Sequence, residues 1–166
     1  MKKIFFTGGA GLLSLNWSIY CKDKWDVTLG TFKRKISPDF AKTVSLELSQ
    51  SAASLINVFS KVSPDVVVNS AALTNLEYCE QNPFDAFNSN VDFASNVASA
   101  CNQLKIPLVH ISTDHLFDGT VANVTEDELP KPLNIYAKTK VDAEIKVFSE
   151  CKNSIIVRTN FFGLGT

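Results

Sequence analysis

The sequence predicts an α/β domain built on a doubly wound parallel sheet, with helices on both of its faces. Short apolar runs alternate with segments of helical periodicity through the 166 residues, which is the pattern of repeated strand–helix–strand units. A glycine-rich turn at 7–11 separates the first apolar run from the first helical segment. Polar side chains follow several predicted strands directly, and such positions meet at the carboxyl edge of a parallel sheet, where ligands bind.

Six strands and four helices follow from the local patterns. The strands are predicted where apolar runs are bounded by turn residues, at 3–6, 26–31, 44–46, 65–69, 107–112 and 154–158. The valine-rich run in 65–69 is typical of a strand buried on both faces. Helices are predicted where apolar residues recur at helical spacing, at 12–21, 51–62, 83–104 and 135–151. Asn82 should cap the third helix with Pro83 in its first turn, and Glu77 and Glu80 before it should be solvated acids in a loop.

Composition and charge exclude several functional classes. Apolar residues make up 45% of the chain, charged residues make up 20%, and the formal net charge is -1, so no basic surface for nucleic acid is expected. No stretch reaches the ~18 apolar residues of a membrane span, and the apolar run after Met1 is too short for a signal peptide. The four cysteines form no C-x-x-C pair and there are only two histidines. We therefore predict free thiols, a cytoplasmic protein and no metal site.

The turn after the first strand has the composition of a phosphate-binding loop. Gly8 and Gly11 form a G-x-x-G spacing that leads into a helix beginning with Leu12 and Leu13. Glycines allow the backbone to approach a pyrophosphate, and a helix N-terminus presents free N–H groups to it. Ser14 stands where a third glycine is usual, and its small side chain should preserve close packing of the helix on the strand. A plain tight turn is the alternative interpretation.

The loop after the second strand favours NADP(H) over NAD(H). An Asp or Glu at this place would bind the ribose 2′-hydroxyl of NAD(H), but the chain has Thr31 followed by Phe32 and the cations Lys33, Arg34 and Lys35. Cations suit a 2′-phosphate. Thr31 and Arg34 are the first choices for that contact, with Lys33 beside them. NAD(H) is the alternative cofactor, and a solvated basic loop is the alternative structure.

Tyr136 and Lys140 form the candidate catalytic pair. Four residues apart on a predicted helix, they lie on one face. The ammonium there should favour the phenolate and lower the tyrosine pKa from near 10 toward neutrality. Thr113, at the end of the 107–112 strand, could hydrogen-bond a substrate carbonyl together with the phenol. His115 has no partner at a recognisable spacing, so we predict that it is a loop residue.

The ordered set of motifs resembles the extended short-chain dehydrogenase/reductase superfamily, and more closely the dTDP-4-dehydrorhamnose reductase family of sugar-nucleotide reductases. The resemblance covers essentially the whole chain. Its motifs are T-G-G-A-G-L-L at 7–13, P-D-V-V-V-N-S-A-A-L-T-N at 64–75, C-E-x-x-P at 79–83, S-N-V at 89–91, I-S-T-D-H-L-F-D-G-T at 111–120, P-L-N-I-Y-A-K-T-K at 132–140 and V-R-T-N at 157–160. The fold that the resemblance implies is Rossmann-like.

The resemblance also implies an activity, which is the NADPH-dependent reduction of a nucleotide-diphosphate 4-keto-6-deoxy sugar. Tyr136 would protonate the sugar C4 oxygen as hydride arrives, Lys140 would hold the nicotinamide ribose, and Thr113 would orient the carbonyl. The implied cofactor site also includes Ala71, Ala72 and Asn90. His115 stands where this family usually has Tyr, and Ala137 stands where it usually has Gly.

Family members are longer than this chain, and the additional part supplies most of their substrate contacts. The resemblance therefore implies that residues 1–166 are an NAD(P)-binding Rossmann domain without the substrate-binding part. Residues 161–166 would lead toward that part, and turnover would be impaired while cofactor still binds. The expected partners are a nucleotide sugar and, in a homodimer, a second copy. The alternatives are a nucleotide-sugar epimerase or dehydratase, and a non-catalytic regulatory subunit similar to the β-subunit of methionine adenosyltransferase.

Overall fold

A computed structural model describes residues 1–160, which form a six-stranded sheet flanked by helices. The strands are β1 Lys2–Phe6, β2 Trp25–Thr31, β3 Lys42–Ser45, β4 Val66–Asn69, β5 Leu108–Ile111 and β6 Ser154–Val157. Their order is β3-β2-β1-β4-β5-β6, and all neighbouring pairs are parallel. The predicted doubly wound parallel sheet is confirmed. Its strand order reverses between β1 and β4, so a crevice for a ligand is expected at their carboxyl ends.

The helices agree with the predicted alternation, with one addition. They are α1 Leu12–Cys21, α2 Ala52–Val62, α3 Leu76–Gln81, α4 Pro83–Phe87, α5 Phe93–Leu104 and α6 Ile135–Glu150. A π-helical turn, Asn88–Asp92, joins α4 to α5, so the predicted 83–104 helix is continuous but contains one wide turn.

The structure contains a short helix, α3, that the sequence analysis did not predict. Glu77 and Glu80 lie on this helix and not in a loop, as had been expected. The helix has only six residues, too few to show helical periodicity. Asn75 caps α3, because its side chain accepts a hydrogen bond from the Tyr78 backbone N–H. The prediction that the Asn82 side chain caps α4 is wrong, because that side chain makes no capping hydrogen bond. Its amide instead donates to the Tyr78 carbonyl at the end of α3.

Two apolar clusters cover the two faces of the sheet. Helix α1 packs on one face, and α2, α5 and α6 pack on the other. The valines of β4 contribute to both faces, since Val67 packs with α2, α5 and α6 while Val68 packs with α1. This double burial explains why the strand is a continuous apolar run. It also fixes the carboxyl end of β4 beside β1.

The remaining sequence expectations concern cysteines, membranes and the chain end. All four cysteines are buried free thiols. No described helix is both long and apolar enough to cross a membrane. Within residues 1–160, no group of three or more His, Cys, Asp or Glu side chains is arranged to hold a metal ion. The expectation about 161–166 concerns residues outside the described range.

Candidate functional site

The glycine turn joins β1 to α1 at the reversal of strand order, and its glycines differ in their surroundings. A Cβ at Gly9 would come within 2.6 Å of the Leu29 Cβ, and one at Gly8 would lie 2.9 Å from the Ala71 backbone N. Packing within the protein therefore requires both of these glycines. A Cβ at Gly11 would meet only the Gly8 carbonyl oxygen, at 3.2 Å. The open space beside Gly11 is what the close approach of a ligand would need.

The N-terminus of α1 is available to an anion. Gly11 occupies the N-cap position, and no side chain caps the first turn, so the leading N–H groups at Leu12 and Leu13 are left for a ligand. Ser14 is buried, and its hydroxyl shares a hydrogen bond of 2.5 Å with the Ser70 hydroxyl in the loop after β4. A serine in place of the third glycine therefore still permits close packing of α1.

The loop after β2 presents cations next to this turn. Thr31 ends β2 and is 2% exposed, whereas Lys33 and Arg34 are exposed. Lys35 donates to the Ser45 hydroxyl on β3 at 2.6 Å. Neither Lys33 nor Arg34 forms an ion pair with another residue in the described part of the chain. Of the two residues favoured for a phosphate contact, Arg34 is the better placed because Thr31 is buried.

Asn90 connects the loop after β4 to α6. The π-helical turn faces inward and buries Asn90 to 1% exposure. Its side-chain oxygen accepts from the Leu73 N–H at 2.7 Å, and its amide donates to the Leu73 carbonyl at 3.1 Å and to the Thr139 hydroxyl at 2.9 Å. These contacts use its polar atoms within the protein. Asn90 thus fixes the loop that contains Ala71 and Ala72, which follows the carboxyl end of β4.

The start of α6 is fixed by two side-chain acceptors. Asn134 accepts from the Ala137 N–H at 2.7 Å, which confirms the predicted start of this helix. Glu80 accepts from the Ile135 N–H, also at 2.7 Å. Glu80 was expected to be only a solvated acid, and the sequence contains no local pattern that pairs it with a residue so far along the chain. The two bonds hold the helix segment that carries Tyr136.

Tyr136 lies beside Thr113, as the sequence predicted, but its pKa is shifted in the opposite direction. The phenol is half-buried, and burial is the main cause that raises its pKa. A side-chain hydrogen-bonding interaction with Thr113 acts the other way, while nearby Cys79 and Asp114 raise the pKa further. The expected lowering by Lys140 is not observed.

The Lys140 ammonium is buried and bonds the end of β5. It is 2% exposed, and its Nζ donates to the Ile111 carbonyl at 2.7 Å. Burial lowers the pKa of Lys140 to about 8, and the Glu144 carboxylate opposes this shift. Glu144 is itself held by Arg158, with a shortest distance of 2.8 Å between Nη2 and Oε2. Lys140 therefore places a buried ammonium at the end of β5.

A buried row of hydrogen-bonded polar side chains lies below this edge of the sheet. Thr7 donates to the Asn69 oxygen at 2.7 Å, and the Asn69 amide donates to His110 Nδ1 at 3.0 Å, which places the ring proton on Nε2. His110 is 1% exposed. Burial and the nearby Lys140 ammonium hold the pKa of His110 well below its usual value. His110 is therefore a neutral structural residue, and sequence analysis did not identify it because burial cannot be seen from spacing.

Comparison with known proteins places this geometry in a family. The family model described as RmlD substrate binding domain matches residues 1–163. The chain belongs to this family. The resemblance to dTDP-4-dehydrorhamnose reductases that was predicted from the motifs is confirmed.

Two curated relatives of this chain are named for different functions. Methionine adenosyltransferase 2 subunit beta of Mus musculus is 32% identical over 158 residues, which cover 95% of this chain and 46% of that protein. A dTDP-4-dehydrorhamnose reductase of Sinorhizobium fredii is 34% identical over 99 residues, which cover 59% of this chain and 33% of that protein. The chain therefore spans less than half the length of each of these two relatives.

A solved relative has the same fold and was solved with NADP bound. The dTDP-4-dehydrorhamnose reductase from Bacillus anthracis, in complex with NADP, superposes with a TM-score of 0.80 at 25% identity. The match covers 95% of this chain and 53% of that one. At the family level, sugar-nucleotide reductases are thus among the relatives of this chain.

Proposed function

We propose that this chain forms the cofactor-binding part of an NADPH-dependent reductase of a nucleotide-diphosphate 4-keto-6-deoxy sugar. One observation carries the proposal. The open glycine turn with its uncapped helix follows β1, and Thr113 follows β5, so both lie at the carboxyl edge of the sheet. Tyr136, at the start of α6, lies beside Thr113. The first feature suits a pyrophosphate, and the second suits a carbonyl that is being reduced.

Tyr136 is the proton donor in this proposal. Its raised pKa keeps the phenol protonated at neutral pH, which is the form needed to transfer a proton to the C4 oxygen. The Thr113 hydroxyl beside it orients the carbonyl. Bound NADPH supplies the hydride. The Lys140 ammonium has three N–H donors, of which one bonds Ile111, so the others remain to hold a ribose hydroxyl.

Replacing Tyr136 with phenylalanine should reduce turnover by about 10²- to 10⁴-fold, the range for loss of a positioned acid. NADPH affinity should change little, because the ring and its packing are retained. The assay follows NADPH absorbance after addition of a dTDP-4-keto-6-deoxy sugar. Tyr20→Phe is the control, since Tyr20 is 81% exposed on α1. Consumption of NADPH that Tyr136→Phe leaves unchanged would contradict the assigned role.

Replacing Arg34 with alanine should weaken NADPH binding about tenfold and NADH binding less than twofold. The expected difference arises because only NADPH has the 2′-phosphate that a guanidinium would bind, and a charge-assisted hydrogen bond is worth about 1.5–3 kcal/mol before solvent screening. Calorimetric titration of both nucleotides gives the two affinities. Lys35→Ala is the matched control, because Lys35 is committed to Ser45. Equal losses for both nucleotides would remove the argument for NADPH.

A non-catalytic subunit is the second candidate function. It is favoured by the relative named methionine adenosyltransferase 2 subunit beta, which matches 95% of this chain at 32% identity. A pull-down with the catalytic subunit of a methionine adenosyltransferase separates the two candidates. Stable capture of that subunit would favour the subunit role over the reductase, whereas a failure to capture it would remove the support that this relative gives.

A further inference from the structure

We propose that Glu80 is a positioning residue for Tyr136, which it holds in place from a separate helix through the backbone of Ile135. The inference rests on the proposed role of Tyr136 as the proton donor. Glu80 lies on α3, and Ile135 is the first residue of α6, 55 positions further along the chain. The carboxylate touches none of the reacting atoms, so its effect on the phenol must pass through α6.

The hydrogen bonds at the start of α6 hold Tyr136 from both sides. The first N–H groups of a helix have no partner within the helix. Glu80 Oε1 accepts from Ile135 at 2.7 Å, and Asn134 Oδ1 accepts from Ala137 at 2.7 Å. Tyr136 is the residue between these two N–H groups. If the Glu80 bond is lost, the backbone on the N-terminal side of the phenol is free to fray.

Helix α3 is itself fixed, which allows it to serve as a support. Asn75 caps its first turn through the Tyr78 N–H. Cys79 is fully buried, and its thiol donates to the Leu73 carbonyl at 3.6 Å. The Cys79 thiol also lies close enough to Tyr136 to affect the titration of the phenol. Glu80 therefore bonds the backbone just before Tyr136, and Cys79, one position earlier on α3, lies near the phenol.

The charge of Glu80 suits its position, and the same helix offers a matched comparison. A carboxylate at the N-terminus of a helix interacts favourably with the positive end of the helix dipole. Glu77 lies one turn earlier on α3, and its carboxylate accepts from Gln81 at 3.4 Å within that helix. Glu77 has the same chemistry as Glu80 but does not contact α6 through a hydrogen bond in the described residues. Its replacement controls for the loss of one negative charge from α3.

The test compares Glu80→Ala, Glu80→Gln and Glu77→Ala by NMR and by kinetics. Amide exchange at Ile135 reports the hydrogen bond directly. The ring carbon signal of Tyr136 reports the phenol, and it can be assigned because the chain has only three tyrosines. We expect Glu80→Ala to speed exchange at Ile135 about tenfold and to shift or broaden the Tyr136 signal. Turnover should fall about tenfold, while the NADPH dissociation constant should change less than twofold.

The conservative variant distinguishes positioning from a general structural effect. The Glu80→Gln side chain still has an oxygen acceptor. Amide exchange at Ile135 should therefore stay within about threefold of the parent rate, and the Tyr136 signal should stay close to its parent position. Glu77→Ala should match the parent chain in every readout. An unchanged Ile135 amide in Glu80→Ala would overturn the proposal, as would a Glu80→Gln variant as impaired as Glu80→Ala. Failure of the parent chain to bind NADPH would instead count against the proposed function, because the NMR readouts need no cofactor.

Discussion

Replacing Lys140 with methionine should raise the free energy of unfolding at pH 7 by about 1–3 kcal/mol while weakening NADPH binding at least tenfold. Lys140 is 2% exposed, and burial lowers its pKa from 10.5 to about 8. Keeping the proton on this buried amine at pH 7 therefore costs on the order of 3 kcal/mol. Methionine removes that cost, and part of the gain is lost because the Ile111 carbonyl loses its donor.

The same buried ammonium should make the stability of the folded chain depend on pH. Between pH 8 and 10.5 the folded chain has released the Lys140 proton, whereas the unfolded chain retains it. The unfolded state then binds more protons, so the free energy of unfolding rises with pH across this window. Below pH 8 the full destabilising cost is present. The methionine variant should lack this part of the rise.

Chemical denaturation at several pH values, combined with nucleotide titration, measures both effects. Lys138→Met is the matched control, because Lys138 lies on the same helix but is exposed. The control should bind NADPH normally and should keep the pH dependence of the parent chain. A Lys140→Met variant that is less stable at pH 7 than the parent, or that keeps the same rise above pH 8, would show that the buried ammonium does not carry this cost.

Gly11→Ala should lower NADPH affinity about 30-fold and leave the fold intact, whereas Gly8→Ala should destabilise the fold itself. At Gly11 the backbone is extended, with φ -81°, and an added Cβ meets only the Gly8 oxygen at 3.2 Å. The methyl group would instead fill the space through which a pyrophosphate approaches. At Gly8 the Cβ would lie 2.9 Å from the Ala71 backbone N. Relieving that overlap requires backbone shifts, at about 3 kcal/mol.

Thermal unfolding and calorimetric titration of the two variants separate the two roles. A 30-fold change in affinity corresponds to about 2 kcal/mol of binding free energy. Gly11→Ala should change the free energy of unfolding by less than about 1 kcal/mol, in contrast to Gly8→Ala. If Gly11→Ala bound NADPH as tightly as the parent chain, a pyrophosphate could not lie against this turn.

The parts of the fold that sequence could predict are those set by neighbouring residues. The glycine turn, the valine-rich β4 and the start of α6 at Asn134 each depend on residue types within a few positions of one another. The location of Tyr136 and Thr113 at one edge also followed, because both come after or near strand ends in a parallel sheet.

The parts that sequence could not predict depend on burial and on contacts between distant residues. Helix α3 is too short for a periodic pattern, and its Glu80 bonds a residue 55 positions away. The Tyr136 pKa was expected to fall because Lys140 is four residues away on the same face. Burial of the phenol raises its pKa instead, and Lys140 Nζ bonds the end of β5. Spacing gives the face on which a side chain lies but not the polar group that it binds.

The central claim is that a nicotinamide nucleotide lies across the carboxyl edge of the sheet, with its phosphates at the glycine turn and its reactive ring beside Tyr136. The most direct measurement is an NMR titration of the chain with NADPH. We predict that the backbone amides of 8–13 and the ring carbon signal of Tyr136 shift together, with one dissociation constant. Shifts confined to the amino ends of the strands, or a Tyr136 signal that does not respond while NADPH binds, would contradict the account.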